Sequence, residues 1–205
     1  ACISMLADQL STMLQNAALL DSNRNGIWVD HLTGVANRLY FLQRFESEIR
    51  RTKNYEQALA LLMFDIDEFK KVNDTYGHEV GNQVLQGVAR ELLRLVRDTD
   101  IVARYGGDEF CVLLPGTEVP GALSFAERVR AGIERLKLGA ITASLGIAEY
   151  ALADPSQAIV KAADVAMYRA KRSGGNRIAV AGREDATWAR GAMIGCAGPA
   201  EAAPL

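Results

Sequence analysis

The sequence predicts an α/β fold, an α+β sandwich with a central mixed β-sheet flanked by helices, and three observations predict it. From Asp30 onward the apolar residues switch repeatedly between a helical and a strand period. Ala58–Asp67 (ALALLMFDID) stays apolar until it ends in acid, the pattern of a strand buried on both faces. Last, DIVARY and EFCVLLP flank a Gly-Gly-Asp turn, which marks a β-hairpin. Mixed α and β order of this kind gives a sheet covered by helices.

Residues 1–26 predict an N-terminal helix and linker. Ile3, Leu6, Leu10, Met13, Ala17 and Leu20 recur at alternating spacings of 3 and 4, the seam along which two helices wind around each other. It is shorter than the three or four heptads that define a coiled coil, so a helix packed on its own domain is the other reading. Asp21–Gly26 (DSNRNG) is rich in turn formers and sets the domain boundary. Asn37–Arg51 predicts a helix with Leu39, Leu42, Phe45 and Ile49 on one buried face. After the apolar strand, Glu68–Tyr76 predicts a short helix that Asp67 caps and Gly77 closes. Asn82–Val96 is a longer amphipathic helix. The hairpin follows, then a helix over Gly121–Leu136, a strand over Ile141–Tyr150 and a helix over Ser156–Arg172. Ser173-Gly174-Gly175 stops that helix, and Arg177–Ala181 is the last strand. The globular domain thus runs over residues 27–182. Residues 183–205, Ala/Gly-rich without a period, predict a disordered tail.

Composition narrows the function. A chain of 205 residues suits one domain plus an extension and should bury ~70% of its unfolded surface. With 23 Lys+Arg against 25 Asp+Glu and no basic run, it lacks the clustered cations of a DNA-binding surface. No apolar stretch approaches the ~20 residues of a membrane span. Cys2, Cys111 and Cys196 form no C-x-x-C pair, hence neither a disulfide framework nor a zinc site; the chain reads as reduced and cytoplasmic. Its first residue is Ala rather than Met, as expected of a fragment of a longer protein.

Carboxylates gather at two strand ends, Asp65-Ile66-Asp67 and the hairpin tip Asp108-Glu109. Acids there commonly serve as caps and turn residues. If the hairpin lies beside the apolar strand, however, Asp65 and Asp108 converge at one edge of the sheet. Clustered carboxylates repel unless a cation sits between them, and hard oxygen ligands select Mg2+ or Mn2+. Such a site suits phosphoryl or nucleotidyl transfer. Its phosphate side is legible too. The helix N-terminus at Glu68 and Phe69 offers free N–H groups, Lys70 adds a charge in the first turn, and Gly106 and Gly107 leave the backbone open to a ligand. Lys171, on the last long helix, could reach the same phosphates, although an exposed lysine is more often plain surface.

Here the residues carry a family resemblance. Arg104-Tyr105-Gly106-Gly107-Asp108-Glu109-Phe110 resembles the signature of GGDEF domains, the diguanylate cyclases. Asp30-His31-Leu32-Thr33-Gly34 with Asn37-Arg38 is similar to the family's opening motif. Phe64–Asp74 with Gly77-His78 resembles its metal and nucleotide segments, and Ala163-Asp164 with Met167–Lys171 its last helix. The likeness covers roughly residues 28–180 in the family's order.

The resemblance implies a palm-like fold of the nucleotide-cyclase and polymerase type, binding one GTP per domain. A homodimer would bring two domains head to head, so that each 3′-hydroxyl attacks the other nucleotide's α-phosphate to give cyclic di-GMP. By position, Asp65, the Ile66 carbonyl and Asp108 would hold the metal. Glu109 would complete the cluster, as a further ligand or as the group favouring hydroxyl deprotonation. Lys70 and Lys171 would neutralise phosphates; Asn73 would bind guanine, with His78 shaping that pocket. Arg97 and Asp100 stand in the register of the family's inhibitory product site, with Arg128 as a secondary contact. The N-terminal helix resembles the exit helix of an upstream sensory domain.

Two positions depart from the family pattern. Asn82 stands where an Asp usually accepts two N–H bonds from guanine, which should weaken discrimination against adenine by ~1–3 kcal/mol. Gly175 stands where an Arg commonly contacts phosphate, with Arg172 and Arg177 nearby in sequence. These departures keep two other readings in view, a cyclase with relaxed base choice and a non-catalytic module that binds GTP or cyclic di-GMP; a third, a dimerisation domain with a vestigial site, rests only on the N-terminal heptad spacing.

Overall fold

The computed structural model describes residues 28–136, 140–152 and 155–182; the expected N-terminal helix and the tail over 183–205 lie outside the described residues. In chain order the elements are β1 (Ala36–Asn37), α1 (Arg38–Tyr55), β2 (Leu59–Ile66), α2 (Phe69–Tyr76), α3 (His78–Leu95), β3 (Ile101–Arg104), β4 (Glu109–Pro115), α4 (Val119–Glu134), β5 (Ala143–Glu149), α5 (Ser156–Arg172) and β6 (Arg177–Val180). The strands form one mixed sheet in the order β1-β3-β4-β2-β5-β6. Both outer pairs, β1–β3 and β5–β6, are parallel, and the inner pairs are antiparallel. The expected mixed sheet with covering helices is the observed one.

Every residue of β2 is buried, because helices cover both faces of the sheet. Side chains alternate between the faces. Ala60, Leu62, Phe64 and Ile66 enter a core with Val84, Val88 and Leu92 of α3 and Phe125 and Val129 of α4. Leu59, Leu61 and Met63 enter the other, with Phe41 and Phe45 of α1 and Ile159, Ala163 and Met167 of α5. Phe64 stacks on Phe110 across the β2–β4 pair, ring centroids 5.5 Å apart, and each fully buried ring stabilises the fold by roughly 1.5–3 kcal/mol. Asp65 is next in the alternation after Met63, so its carboxylate emerges on the α1/α5 face. On that face Gly146 is required: a Cβ there would collide with the Ala163 carbonyl and the Met167 amide of α5.

Three local expectations are corrected. Helix α1 does not bury Leu39 and Leu42, which are 54% and 38% exposed. Its buried stripe is Phe41, Phe45, Glu48, Ile49 and Thr52. The Phe41 ring meets Phe45 and Tyr105 at centroid distances of 5.8 and 5.7 Å, and an aromatic buries more surface than a leucine. Asp67 does not cap α2; Glu68 precedes that helix in the left-handed region (φ 54°) without a side-chain cap. The Asp67 carboxylate instead accepts hydrogen bonds from Thr142 Oγ1 at 2.7 Å, Ser144 Oγ at 2.6 Å and the Asn176 amide at 2.8 Å. Finally, α3 begins at His78 rather than Asn82, since Gly77 (φ 83°) ends α2 and starts α3 at once. Strand β1 was not expected; two residues give no period.

Candidate active site

Pairing of β2 with β4 sets Asp65 directly opposite Glu109, and the Ile66 amide donates to the Asp108 carbonyl at 3.4 Å. The two acidic segments therefore meet at one end of the sheet, as the sequence implies. Asp65 is 7% exposed. Its carboxylate accepts a 2.7 Å hydrogen bond from Lys171 Nζ. Burial pushes the Asp65 carboxyl above its ordinary value, Lys171 pulls it down, and the charges of Asp108 and Glu109 push it up again; the net shift is upward. Lys171 moves with it. Burial opposes its charge, but Asp65 outweighs burial and holds the ammonium above the usual lysine range.

The hairpin tip is held from outside the sheet. Tyr105 and Gly106 amides both donate to the Glu109 carbonyl, at 2.8 and 3.3 Å. A Cβ on Gly106 would lie 2.6 Å from Glu109 Oε2, so a side chain there would push the Glu109 carboxylate aside. Arg104 donates from Nε and Nη2 to the Gly107 carbonyl at 3.0 and 2.7 Å, and from Nη1 to Asp30 Oδ1 at 3.1 Å. Asp30 also accepts from the Thr33 amide and hydroxyl, at 2.9 and 2.6 Å. Burial alone would raise the Asp30 carboxyl, but the bonds from Thr33 and Arg104 prevail and hold it below its ordinary range. Asp30 and Arg104, singled out in the sequence only as parts of motifs, thus brace the hairpin turn. Hydroxyl and guanidinium donors within reach of one carboxylate are not visible in sequence order.

At the start of α2, Phe69 is half-buried, and Lys70 is exposed with no hydrogen bond or ion pair among the described residues. Asn73, one turn on, lies across the α2–α3 junction: a Cβ on Gly81 would collide with Asn73 Oδ1 and sit 3.3 Å from the Phe69 ring. Phe69 and Asn73 are therefore brought together against Gly81. Asn82 follows in the exposed part of α3, and His78 is exposed in its first turn.

Arg97, Asp100 and Arg128 also come together. They line one cavity of about 640 Å3 with Leu95, Phe125 and Glu118. Ala58, Leu114 and Gly116 form its sheet side, which places it at the opposite end of β2 and β4 from Asp65 and Glu109. Asp100 Oδ2 accepts from the Arg97 amide at 2.9 Å, and Arg128 lies 5.5 Å over the Phe125 ring.

Among the described residues, no three His, Cys, Asp or Glu side chains are gathered closely enough to enclose a metal ion. The donors nonetheless fit a hard divalent cation. Asp65, Asp108 and Glu109 supply only oxygen, and Asp65 is a buried acid with two acidic neighbours against one lysine, a surplus of negative charge that a cation would relieve. Cys111 takes no part, being fully buried, with its thiol pushed well up by that burial.

Known proteins resemble this chain in sequence and in fold. Residues 27–177 match the family model described as "Diguanylate cyclase, GGDEF domain". The chain is 36% identical over 189 residues to the diguanylate cyclase DgcP of Pseudomonas aeruginosa, covering 87% of this chain and 28% of that protein. It is likewise 36% identical over 185 residues to the diguanylate cyclase VdcA of Vibrio cholerae, covering 86% and 50%. It therefore spans half or less of these relatives' lengths. Among solved structures, the coiled coil and GGDEF domain of DgcB from Caulobacter crescentus, in complex with c-di-GMP, superposes with a TM-score of 0.75 at 31% identity. That match covers 87% of this chain and 98% of the other.

Proposed function

The chain belongs to the GGDEF diguanylate cyclase family, and from that premise we propose that it condenses two molecules of GTP into cyclic di-GMP. In each of two transfers a 3′-hydroxyl oxygen bonds to the partner nucleotide's α-phosphorus, the bond to pyrophosphate breaks, and the hydroxyl proton is lost. Asp65, the Ile66 carbonyl, Asp108 and Glu109 would hold Mg2+ or Mn2+. When bound, that ion neutralises phosphate charge and lowers the pKa of the attacking hydroxyl. Lys70 and Lys171 neutralise phosphates, Gly106 and Gly107 let them approach the backbone, and Glu109 favours loss of the hydroxyl proton. Phe69, Asn73, His78 and Asn82 form the guanine side. Each site holds one nucleotide, so two copies must meet face to face, and that proximity supplies much of the rate. Residues 1–26, whose apolar residues recur at heptad spacing, would pair the copies and pass on a signal from an upstream sensory domain.

One observation carries this reading: the Asp65–Glu109 cross-strand pair, with Asp108 beside it, is joined through Asp65 to the ammonium of Lys171. Feedback by the product rests on the cavity that gathers Arg97, Asp100 and Arg128. Incubating concentrated protein with Mg2+ and equal GTP and ATP, with mass spectrometry of the products, tests both chemistry and base choice. Cyclic di-GMP alone is expected. Mixed dinucleotides would assign a loss of base selectivity to Asn82. Binding of cyclic di-GMP without any product, even after enforced dimerisation, would favour a regulatory module instead.

A further inference from the structure

Register carries one catalytic feature further across the sheet. Asp65 pairs with Glu109 on one side and with Ser144 on the other, and Ser144 pairs in turn with Arg177. Residues directly opposite one another project from the same face, so Glu109, Asp65, Ser144 and Arg177 form one row on the α1/α5 face. Two strand spacings, roughly 10 Å, separate the backbones of Asp65 and Arg177.

Arg177 lies against the loop that follows the Lys171 helix. Its Nε donates to the Gly175 carbonyl at 3.1 Å, and Nη2 lies 3.3 Å from where a Cβ on Gly174 would be. The guanidinium therefore rests on the Gly174–Gly175 loop. That loop lines a cavity of about 360 Å3 together with Asp67, Glu68, Thr142 and Lys171. No acid pairs with Arg177 among the described residues, whereas Lys171 is bonded to Asp65. Position 175 itself carries no cation: Gly175 has φ +69°, and a Cβ there would sit 3.0 Å from Asp67 Oδ2. Asp67 holds the loop down through the Asn176 amide, while Arg130 and Glu134 of α4 hold the Asn176 side chain at 2.7 and 3.0 Å. The arginine is thus an unspent fork on a fixed loop beside the phosphate-binding lysine.

We propose that Arg177 is a substrate-contacting residue of this site, binding the terminal phosphates of the nucleoside triphosphate and holding the pyrophosphate as it leaves. The proposal rests on the nucleotidyl-transfer reading above and adds to it one residue. A guanidinium offers two parallel donors to a phosphate, which an ammonium cannot reproduce.

The test compares the full 205-residue chain with Arg177→Ala and Arg177→Lys. It measures the KM for GTP, inhibition by inorganic pyrophosphate, and calorimetric affinity for GMP. For Arg177→Ala, the KM and the pyrophosphate inhibition constant should both rise about tenfold, the loss expected for one charge-assisted contact. GMP, which has no terminal phosphates, should bind as before, and Arg177→Lys should fall between. An unchanged KM and pyrophosphate constant would overturn the proposal, as would GMP affinity falling in step, which would mark a general structural effect. Should the wild type neither bind nor turn over GTP, the nucleotidyl-transfer reading fails and takes this proposal with it. An active wild type beside an indifferent Arg177→Ala removes this proposal alone.

Discussion

The two ends of the β2–β4 pair, roughly 20–25 Å apart along eight residues of strand, are built on opposite principles. At the Asp65–Glu109 end, charges are crowded around the buried Asp65 and held by named partners: Lys171 on Asp65, Arg104 on Gly107, Asp30 on Arg104. At the Ala58–Gly116 end, a wide cavity presents Arg97, whose guanidinium has no partner among the described residues, and Arg128, which lies over a phenyl ring. Chemistry on a phosphorus centre needs fixed groups whose ionisation is already biased. Capture of an anionic ligand needs donors left unspent. On the function proposed above, the difference would separate what turns substrate over from what senses product.

Substitutions can break or sharpen that contrast. Asp108→Ala has the largest expected effect: turnover should fall at least about a thousandfold, on the order of 4 kcal/mol, with folding intact by circular dichroism. Retained turnover would refute the metal assignment. Arg104→Ala removes two bonds to the Gly107 carbonyl and leaves Asp30 without its cation, so stability should drop by about 1–3 kcal/mol. The pH dependence has a definite sign. Asp30 has a depressed pKa in the folded state, so its contribution is present above its unfolded value near 3.8 and lost as pH falls through the folded value. Removing Arg104 should therefore flatten the acid limb of an unfolding curve. Arg97→Ala acts at the other end and should weaken cyclic di-GMP binding about 10–100-fold by calorimetry while GTP turnover stays as it was.

Two subtler tests follow. The folded Asp65 pKa is raised, so the stability it contributes is present at low pH and lost as pH rises through that folded value. The ionised group is thus a cost at neutral pH that a bound cation offsets. Mg2+ should raise Tm at neutral pH, and the gain should shrink on acidification, starting above the range of an ordinary carboxylate. Asp65→Asn should abolish the gain, and a Tm indifferent to Mg2+ in the wild type would count against the cation site. Smallest of all, Asn82→Asp should sharpen the preference for GTP over ATP by about tenfold, read from competition between the two nucleotides.

Much of this was legible in the chain. Ser156–Arg172 is a helix with the expected bounds, and the hairpin and the fully buried β2 lie where the apolar runs place them. The acidic edge followed from strand ends alone. What escaped depends on neighbours that sequence order does not adjoin. Asp67 looks like a cap because it precedes a helix, yet Thr142, Ser144 and Asn176 claim it from other elements. Leu39 and Leu42 match a helical face as well as Phe41 does, and only the packing of Phe41 against Tyr105 decides the rotation of α1. The Glu109–Asp65–Ser144–Arg177 row exists only once three strand registers are fixed.

The brace on the hairpin turn also bears on where this domain can be cut. Trp28 and Asp30 fold back on the chain through Asn37 and Val35, and the Trp28 ring packs on Tyr40 at 5.6 Å, yet Asp30 alone spans to Arg104. A version trimmed to start at Val35 would retain the buried residues of both cores. It would nonetheless leave Arg104 to hold Gly107 unaided. Such a trimmed domain should fold, and its turn should be loose. The functional boundary of the domain thus lies ahead of its folding boundary.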